Sequence, residues 1–575
     1  LHVEAGAAHS AEKYDQDVTT RRLARIGSFW QDSRADRYCR ALHPVGLLFA
    51  VVFFALSMTP SLLPRVWYLQ AVATGISIAI GYGVGCLIAW VVRTCGVSPD
   101  WSEQWRRRGW WALAVAAAVA VPLFLILGSW WQQIVRKLVG VEDPGRPLYI
   151  AVLVVSVVVA VAVLALGRLL RRASQALTRW GKQYVPKPVA RIASVIVVAL
   201  LVVFAVNGAL VRGIVAVAEQ SASTADRGNH EGVEKPTAAE LSGSDASNEE
   251  WESLGQEGRR FVVSGVSPDE ISEFTGRPAV QPIRVYAGVE SADTVEGVAD
   301  RVVAELERTG AFSRAVLGVA TTTGRGWVNE NVARPLEYLY DGNSAIASMQ
   351  YSFLPSPMAF LADRQTPQDA GRALFEAVYE VWSELPEDAR PKLVLFGESL
   401  GAYGGQDAFS GAQDMIARID GALWVGNPNF TPQWARITAG RDAGSREILP
   451  VVDGGEHVRF ASSSGDLDID GPWEEPRIVY WQHASDPIVW WSPDLILNRP
   501  DWLREPRGAD VDPGVQWFPF VTFWQLTFDQ VFSTDVDDGH GHSYGADAVN
   551  MWADILEPPG WSDADVTRLY EKMAG

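Results

Sequence analysis

Cysteine is missing from most of this chain. The 575 residues hold three, Cys39, Cys86 and Cys95, and none follows position 95. Everything after that point must fold without a disulfide framework and offers no thiolate metal site. Basic charge is also scarce there. Residues 213–575 carry 26 Lys and Arg against 58 Asp and Glu, whereas residues 1–212 carry 23 against 10. The net charge of −19 therefore hides a basic, apolar beginning joined to an acidic remainder. Such an acidic half argues against a nucleic-acid partner, because phosphate binding needs a positive face. The beginning lacks an early apolar run: residues 1–42 are polar and include Arg21, Arg22, Arg25, Arg34, Arg37 and Arg40. No cleavable signal segment is expected there.

Long hydrophobic runs are what the first part does have. Five stretches, near 44–60, 67–92, 110–131, 148–167 and 191–211, approach or reach the length that crosses a bilayer as a helix. No Asp or Glu lies inside them, which argues against an ion or proton pathway. Gly81, Gly83 and Gly85 read as sites of close helix packing. The arm before the first run and the connections 93–109 and 168–190 hold 17 Lys and Arg, against 4 in the connections 61–66 and 132–147. This bias predicts a cytoplasmic N-terminus and, after five spans, an extracytoplasmic remainder in the inner membrane. The expected organisation is a cytoplasmic arm at 1–43, a five-helix transmembrane domain at 44–212, a flexible linker at 213–250 rich in Ser, Ala, Gly and Glu, and a second domain at 251–575.

That second domain alternates short β-rich runs with helical patterns, as an α/β domain with a mostly parallel sheet does. Strands are expected at Pro282–Ala287, Ala315–Ala320, Ala345–Tyr351, Lys392–Phe396, Ala422–Val425 and Arg477–Trp481, with a last one near 521–533 before a closing helix at about 545–556. The fourth runs straight into Gly397-Glu398-Ser399-Leu400-Gly401. Gly-x-Ser-x-Gly alone is a weak pattern. Between a buried strand and a helix start it describes a strained turn that exposes a nucleophilic serine, and small residues are needed at both flanks.

A serine hydroxyl needs a base, and the base needs an orienting acid. In the α/β-hydrolase fold these follow the serine in the order acid, then histidine. Of eight histidines, His540 and His542 remain after elimination, in Asp537-Asp538-Gly539-His540-Gly541-His542-Ser543-Tyr544. His542 is the preferred base, with His540 as the alternative or as a hydrogen-bonding neighbour. No metal is expected, since the Asp537, Asp538, His540 and His542 cluster lacks matching ligands elsewhere, and the pattern calls for no cofactor. The acid is expected at Asp486, just past a strand in a turn closed by Pro487. The earlier strand end, Gly426-Asn427-Pro428-Asn429, holds no carboxylate. For the oxyanion hole, one N–H is expected from Leu400 and another from the loop after the second strand, within Thr323, Gly324 and Arg325. The Trp- and Pro-rich segments 427–475 and 487–520 suit either a lid or ordinary packing.

With these residues in place, the chain resembles the actinobacterial membrane-embedded α/β-hydrolase family, in which a multi-spanning N-terminal domain precedes a hydrolase domain. The resemblance rests on Thr59-Pro60-Ser61-Leu62-Leu63-Pro64-Arg65, Leu254-Gly255-Gln256-Glu257-Gly258-Arg259-Arg260-Phe261-Val262, Gly397–Gly401 and Gly539–His542, and extends from about 44 to 560. It implies the same two-part architecture and a hydrolase fold, and brings no particular substrate. The expectation is an all-α transmembrane domain followed by an α/β-hydrolase domain whose Ser399, Asp486 and His542 cleave an acyl ester or a lipid at the outer membrane face. The alternatives are acyl transfer to an envelope acceptor and, in another class, a non-catalytic scaffold on the same fold.

Overall fold

A computed structural model describes residues 42–96, 102–142, 149–205, 208 and 211–575. The expected arm at 1–43 lies almost wholly outside the described residues. Helices occupy the five apolar stretches: α1 (Pro44–Ser57), α2 (Trp67–Thr94), α3 (Glu103–Leu138), α4 (Tyr149–Gly181) and α5 (Lys187–Val203). Three of them, α2, α3 and α4, are long and apolar enough to cross a membrane, whereas five crossings were expected. At 14 residues α1 is short for a bilayer, and α5 has 17. The small residues of α2 behave as expected at two positions. A side chain at Gly81 would strike Phe49 O and Phe53, and one at Gly85 would strike Val45 O, whereas Gly83 faces open space.

The second half holds a seven-stranded, wholly parallel sheet in the order β1-β3-β2-β4-β5-β7-β6. Its strands are β1 (Ile283–Ala287), β2 (Val316–Thr321), β3 (Ser344–Met349), β4 (Lys392–Glu398), β5 (Gly421–Val425), β6 (Val458–Ala461) and β7 (Arg477–Trp481). Alternate residues of each strand feed two separate cores, as the pleat requires. Leu393 and Leu395 join one core with Leu374 and Phe375, while Val394 and Phe396 join the other with Leu336 and Trp552. Helices cover both faces, which is why these strands read as near-continuous apolar runs.

Three expectations fail. The segment near 521–533 is not a strand but begins with helix α6 (Val521–Asp529). Its buried residues are Val521, Thr522, Gln525, Leu526 and Asp529, a helical spacing that its aromatic and β-branched content obscured. Strand β6 arises unexpectedly within the polar 440–475 stretch, at the sheet edge beside β7. Residues 213–250 are not a loose linker. They continue the helix Val211–Asp226, then form a strap along the edge of β1. Ser242 N donates to Arg284 O at 3.1 Å, and Arg284 N to Glu240 O at 3.3 Å. Buried Glu305 accepts from Ser242, Ser247 and the Asn248 amide. The strap thereby pairs an edge that would otherwise present free backbone groups.

Candidate active site

Strand β4 ends in the turn that carries Ser399. The serine has φ +55° and ψ −116°, a left-handed value that costs energy for any residue with a Cβ. Its N–H donates to Val425 O at 2.9 Å. A side chain at Gly397 would collide with Thr321 Oγ1 and the Gly401 backbone, and one at Gly401 with Thr321 O. Both flanking glycines are therefore sterically obligatory. Thr321 closes the turn by donating its hydroxyl to Gly401 O at 2.8 Å.

The structure brings Asp486 and His542 together. Asp486, fully buried after β7, caps the turn Pro487–Trp490 by accepting from Ile488 N at 2.8 Å. Its other oxygen lies 2.6 Å from His542 Nδ1 and also accepts the Tyr544 hydroxyl at 2.8 Å. A carboxylate only accepts, so the imidazole proton sits on Nδ1 and the lone pair on Nε2. That Nε2 is buried and has no hydrogen-bond partner. Register fixes where the ring lies. Glu398 pairs with Val425 across β4 and β5, so Ser399 and Gly426 are neighbours one strand spacing apart. A Cβ at Gly426 would lie 2.5 Å from His542 Cε1. The His542 ring therefore covers Gly426, the glycine beside Ser399. Burial works against a charged imidazole, but Asp486 outweighs it and Glu398 adds to it, so the His542 pKa rises above its ordinary value.

His540 is not a partner of this pair. It is half-buried, its Nδ1 bonds to nothing, and it borders a cavity of about 780 Å³ with Asp510, Asp538 and Asp547. The supporting role expected of it falls to Tyr544 and His483. His483 stacks on Tyr544 at 4.2 Å and is held by Gly541 O at 2.9 Å.

An alpha/beta-hydrolase family model matches residues 283–569, and the model of that family's N-terminus matches residues 58–265. The chain belongs to this alpha/beta-hydrolase family. No curated protein and no solved structure matches it.

In this hydrolase-family chain, the loop after β2 differs from expectation. The Thr323 N–H is committed to Trp327 O at 3.1 Å, and the Gly324 N–H to Ser356 Oγ at 3.1 Å. Neither is free for a developing oxyanion. The Arg325 guanidinium faces Glu257 at 3.2 Å, which ties the Leu254–Val262 motif to this loop. Thr322, one residue before the expected range, directly follows β2 and lies against Gly401. Leu400 opens the helix Leu400–Gly405, where the first N–H groups have no intrahelical acceptor.

Two further residues escaped the sequence reading. Glu398 is buried beside His542 and receives the Asn329 side-chain N–H at 2.6 Å. Burial pushes its carboxyl up to about 7, with His542 and Asn329 pulling the other way. Its place next to Ser399 was the available signal. The segment 487–520 packs as core, with Trp490 and Trp502 buried and 5.6 Å apart, whereas Phe430 of the segment 427–475 joins the cover over Leu400. What covers Leu400 is the helix Ser356–Ala362 together with Val215 and Ala218 from the helix after α5. Phe360 and Phe430 stack there at 4.2 Å, with Tyr403 edge-on.

Proposed function

We propose that this chain is a membrane-anchored serine hydrolase that cleaves acyl esters. The arrangement that carries the reading sets a strained, positive-φ serine at the end of β4 beside Gly426 at the end of β5, against which lies a histidine bonded to a buried carboxylate through Nδ1 and bare at Nε2. Ser399 Oγ attacks the acyl carbon while His542 Nε2 takes its proton. Asp486 holds the imidazole tautomer and stabilises the cation that forms. The oxyanion is received by the Leu400 and Thr322 N–H groups. The tetrahedral intermediate collapses as His542 returns the proton to the leaving alcohol. Water, activated by the same nitrogen, then frees the acyl group and regenerates Ser399.

The apolar cover of Leu400, Tyr403, Met358, Phe360 and Phe430 favours a fatty acyl group, and the apolar helices favour a substrate drawn from the bilayer. The Lys- and Arg-poor turn 58–66 meets the hydrolase half: Gln525 Nε2 donates to Thr59 O at 3.1 Å. The charge bias and this contact together support an extracytoplasmic site. A second reading, acyl transfer to a polyhydroxylated acceptor, draws on the hydroxyl and carboxylate groups of Ser463, Asp510, Asp538 and Asp547 that border the cavity beside His540. A fluorophosphonate probe tests the reading. Wild-type protein should be labelled and Ser399→Ala should not; labelling that survives Ser399→Ala refutes the assignment. The acyl-enzyme partition between water and added polyols, read by mass spectrometry, separates hydrolysis from transfer.

A further inference from the structure

The Thr59–Arg65 turn is the one sequence motif that the proposed reaction leaves unused. It wraps around Asp529 at the end of α6. The Ser61 hydroxyl and the Leu62 and Leu63 N–H groups all donate to that carboxylate, and Arg65 Nε pairs with it at 3.3 Å. The Arg65 side chain is 1 % exposed, yet its two terminal nitrogens, Nη1 and Nη2, have no partner. Arg136, near the end of α3, is 6 % exposed, and its Nη1 is also unpartnered. Gln132, one turn earlier on the same helix, accepts the Arg65 backbone N–H at 2.7 Å. Tyr149 lies within electrostatic reach of both guanidinium groups, which puts the two cations in one neighbourhood.

Among the described residues, then, Arg65 has one carboxylate partner, no ion pair joins Arg136 to a carboxylate, and Arg65 Nη1 and Nη2 and Arg136 Nη1 have no acceptor. A buried, unpartnered guanidinium is costly. Its forked N–H groups fit the several oxygens of a phosphate. The depth of the site indicates where such a phosphate would come from. Exposed aromatic rings ring the same helix ends: Trp67 and Tyr68 open α2, and Trp130 lies near the end of α3. Such rings mark the headgroup level of a bilayer. We propose that Arg65 and Arg136 form a site for the phosphate of an anionic phospholipid headgroup, at the seam between the helical and hydrolase halves.

The site is separate from the proposed serine chemistry, and the test keeps the two apart. Full-length protein in a neutral sugar-detergent micelle is titrated with phosphatidylglycerol, with diacylglycerol and with inorganic phosphate, and its thermal midpoint is followed. Phosphatidylglycerol should raise the midpoint in a saturable way, and diacylglycerol should not. Ser399→Ala should respond as the wild type does. Arg136→Gln should weaken the apparent affinity at least tenfold, with Arg136→Lys between the two. An equal rise with inorganic phosphate alone overturns the lipid assignment. The absence of any phosphatidylglycerol-dependent rise, or an unchanged response in both Arg136 variants, overturns the site itself.

Discussion

Glu398 sits where small chemical changes should be readable in rate. It is buried beside His542, and where its carboxyl is ionised, above about pH 7, its negative charge favours the imidazolium. In the proposed reaction His542 acts as base only when neutral, so the rate should fall as pH falls through the His542 pKa. Asp486, Glu398 and the neutral Tyr544 surround that ring. Glu398→Gln removes one anion, lowers the His542 pKa, and should move the acid limb of the labelling-rate profile to lower pH. An acid limb that stays put or climbs counts against this coupling. Asp486→Asn acts on the same ring more severely, because it also withdraws the acceptor that fixes the Nδ1–H tautomer. A drop of about 10⁴-fold in kcat is expected, measured on a chromogenic short-chain ester. Tyr544→Phe should cost less: it removes one of three hydrogen bonds to Asp486 and leaves His542 in place.

At the scale of elements, the site depends on how closely β4, β5 and the His542 loop approach. Gly426 has φ +56°, and a Cβ there would meet the His542 ring. Gly426→Ala should displace the base and reduce kcat by about 10²-fold while the sheet persists; unchanged kcat with unchanged circular dichroism would contradict the placement of that ring. Much of this level was legible in the sequence. Strand β4 announces itself by an apolar run ending at Gly397, and Asp486 by its position between a strand and a proline. The elements missed had mixed signals. Helix α6 is built from Phe, Val, Thr and Trp, residues that favour strands, and only its burial pattern is helical. The strap at 227–250 is polar because its hydrogen bonds go to Arg284 and Glu305, and polar composition alone looks the same as a tether. The commitment of the Thr323 and Gly324 amides depends on Trp327 and Ser356, which no local pattern reveals.

Across the whole molecule, the two halves are joined through chemistry as well as through the chain. Arg65 and Asp529 are both buried, and burial pushes the Asp529 carboxyl up to about 6 against the pull of Arg65 and Ser61. Asp529→Ala should strand the Arg65 charge and destabilise the full-length protein by about 3–5 kcal/mol, seen as a lower thermal midpoint in micelles. The paired change Arg65→Met with Asp529→Leu should recover most of that loss. A double variant as unstable as Asp529→Ala would show that packing, and not stranded charge, sets the cost. The helical half also touches the loop that carries His542: Asp537 N donates to Val139 O at the end of α3 at 3.3 Å, and Gly541 packs beside Leu63 of the turn. Ser61 and the carboxylate it binds are 468 residues apart. A ribosome adding about 5–20 residues per second needs on the order of 20–90 s to make that stretch. Throughout that interval the helical half exists as an open socket, with Arg65 awaiting a counter-charge. The contact of the turn with Asp529 can therefore close only late in synthesis. A chain that ends before Asp529 leaves the buried Arg65 without that carboxylate.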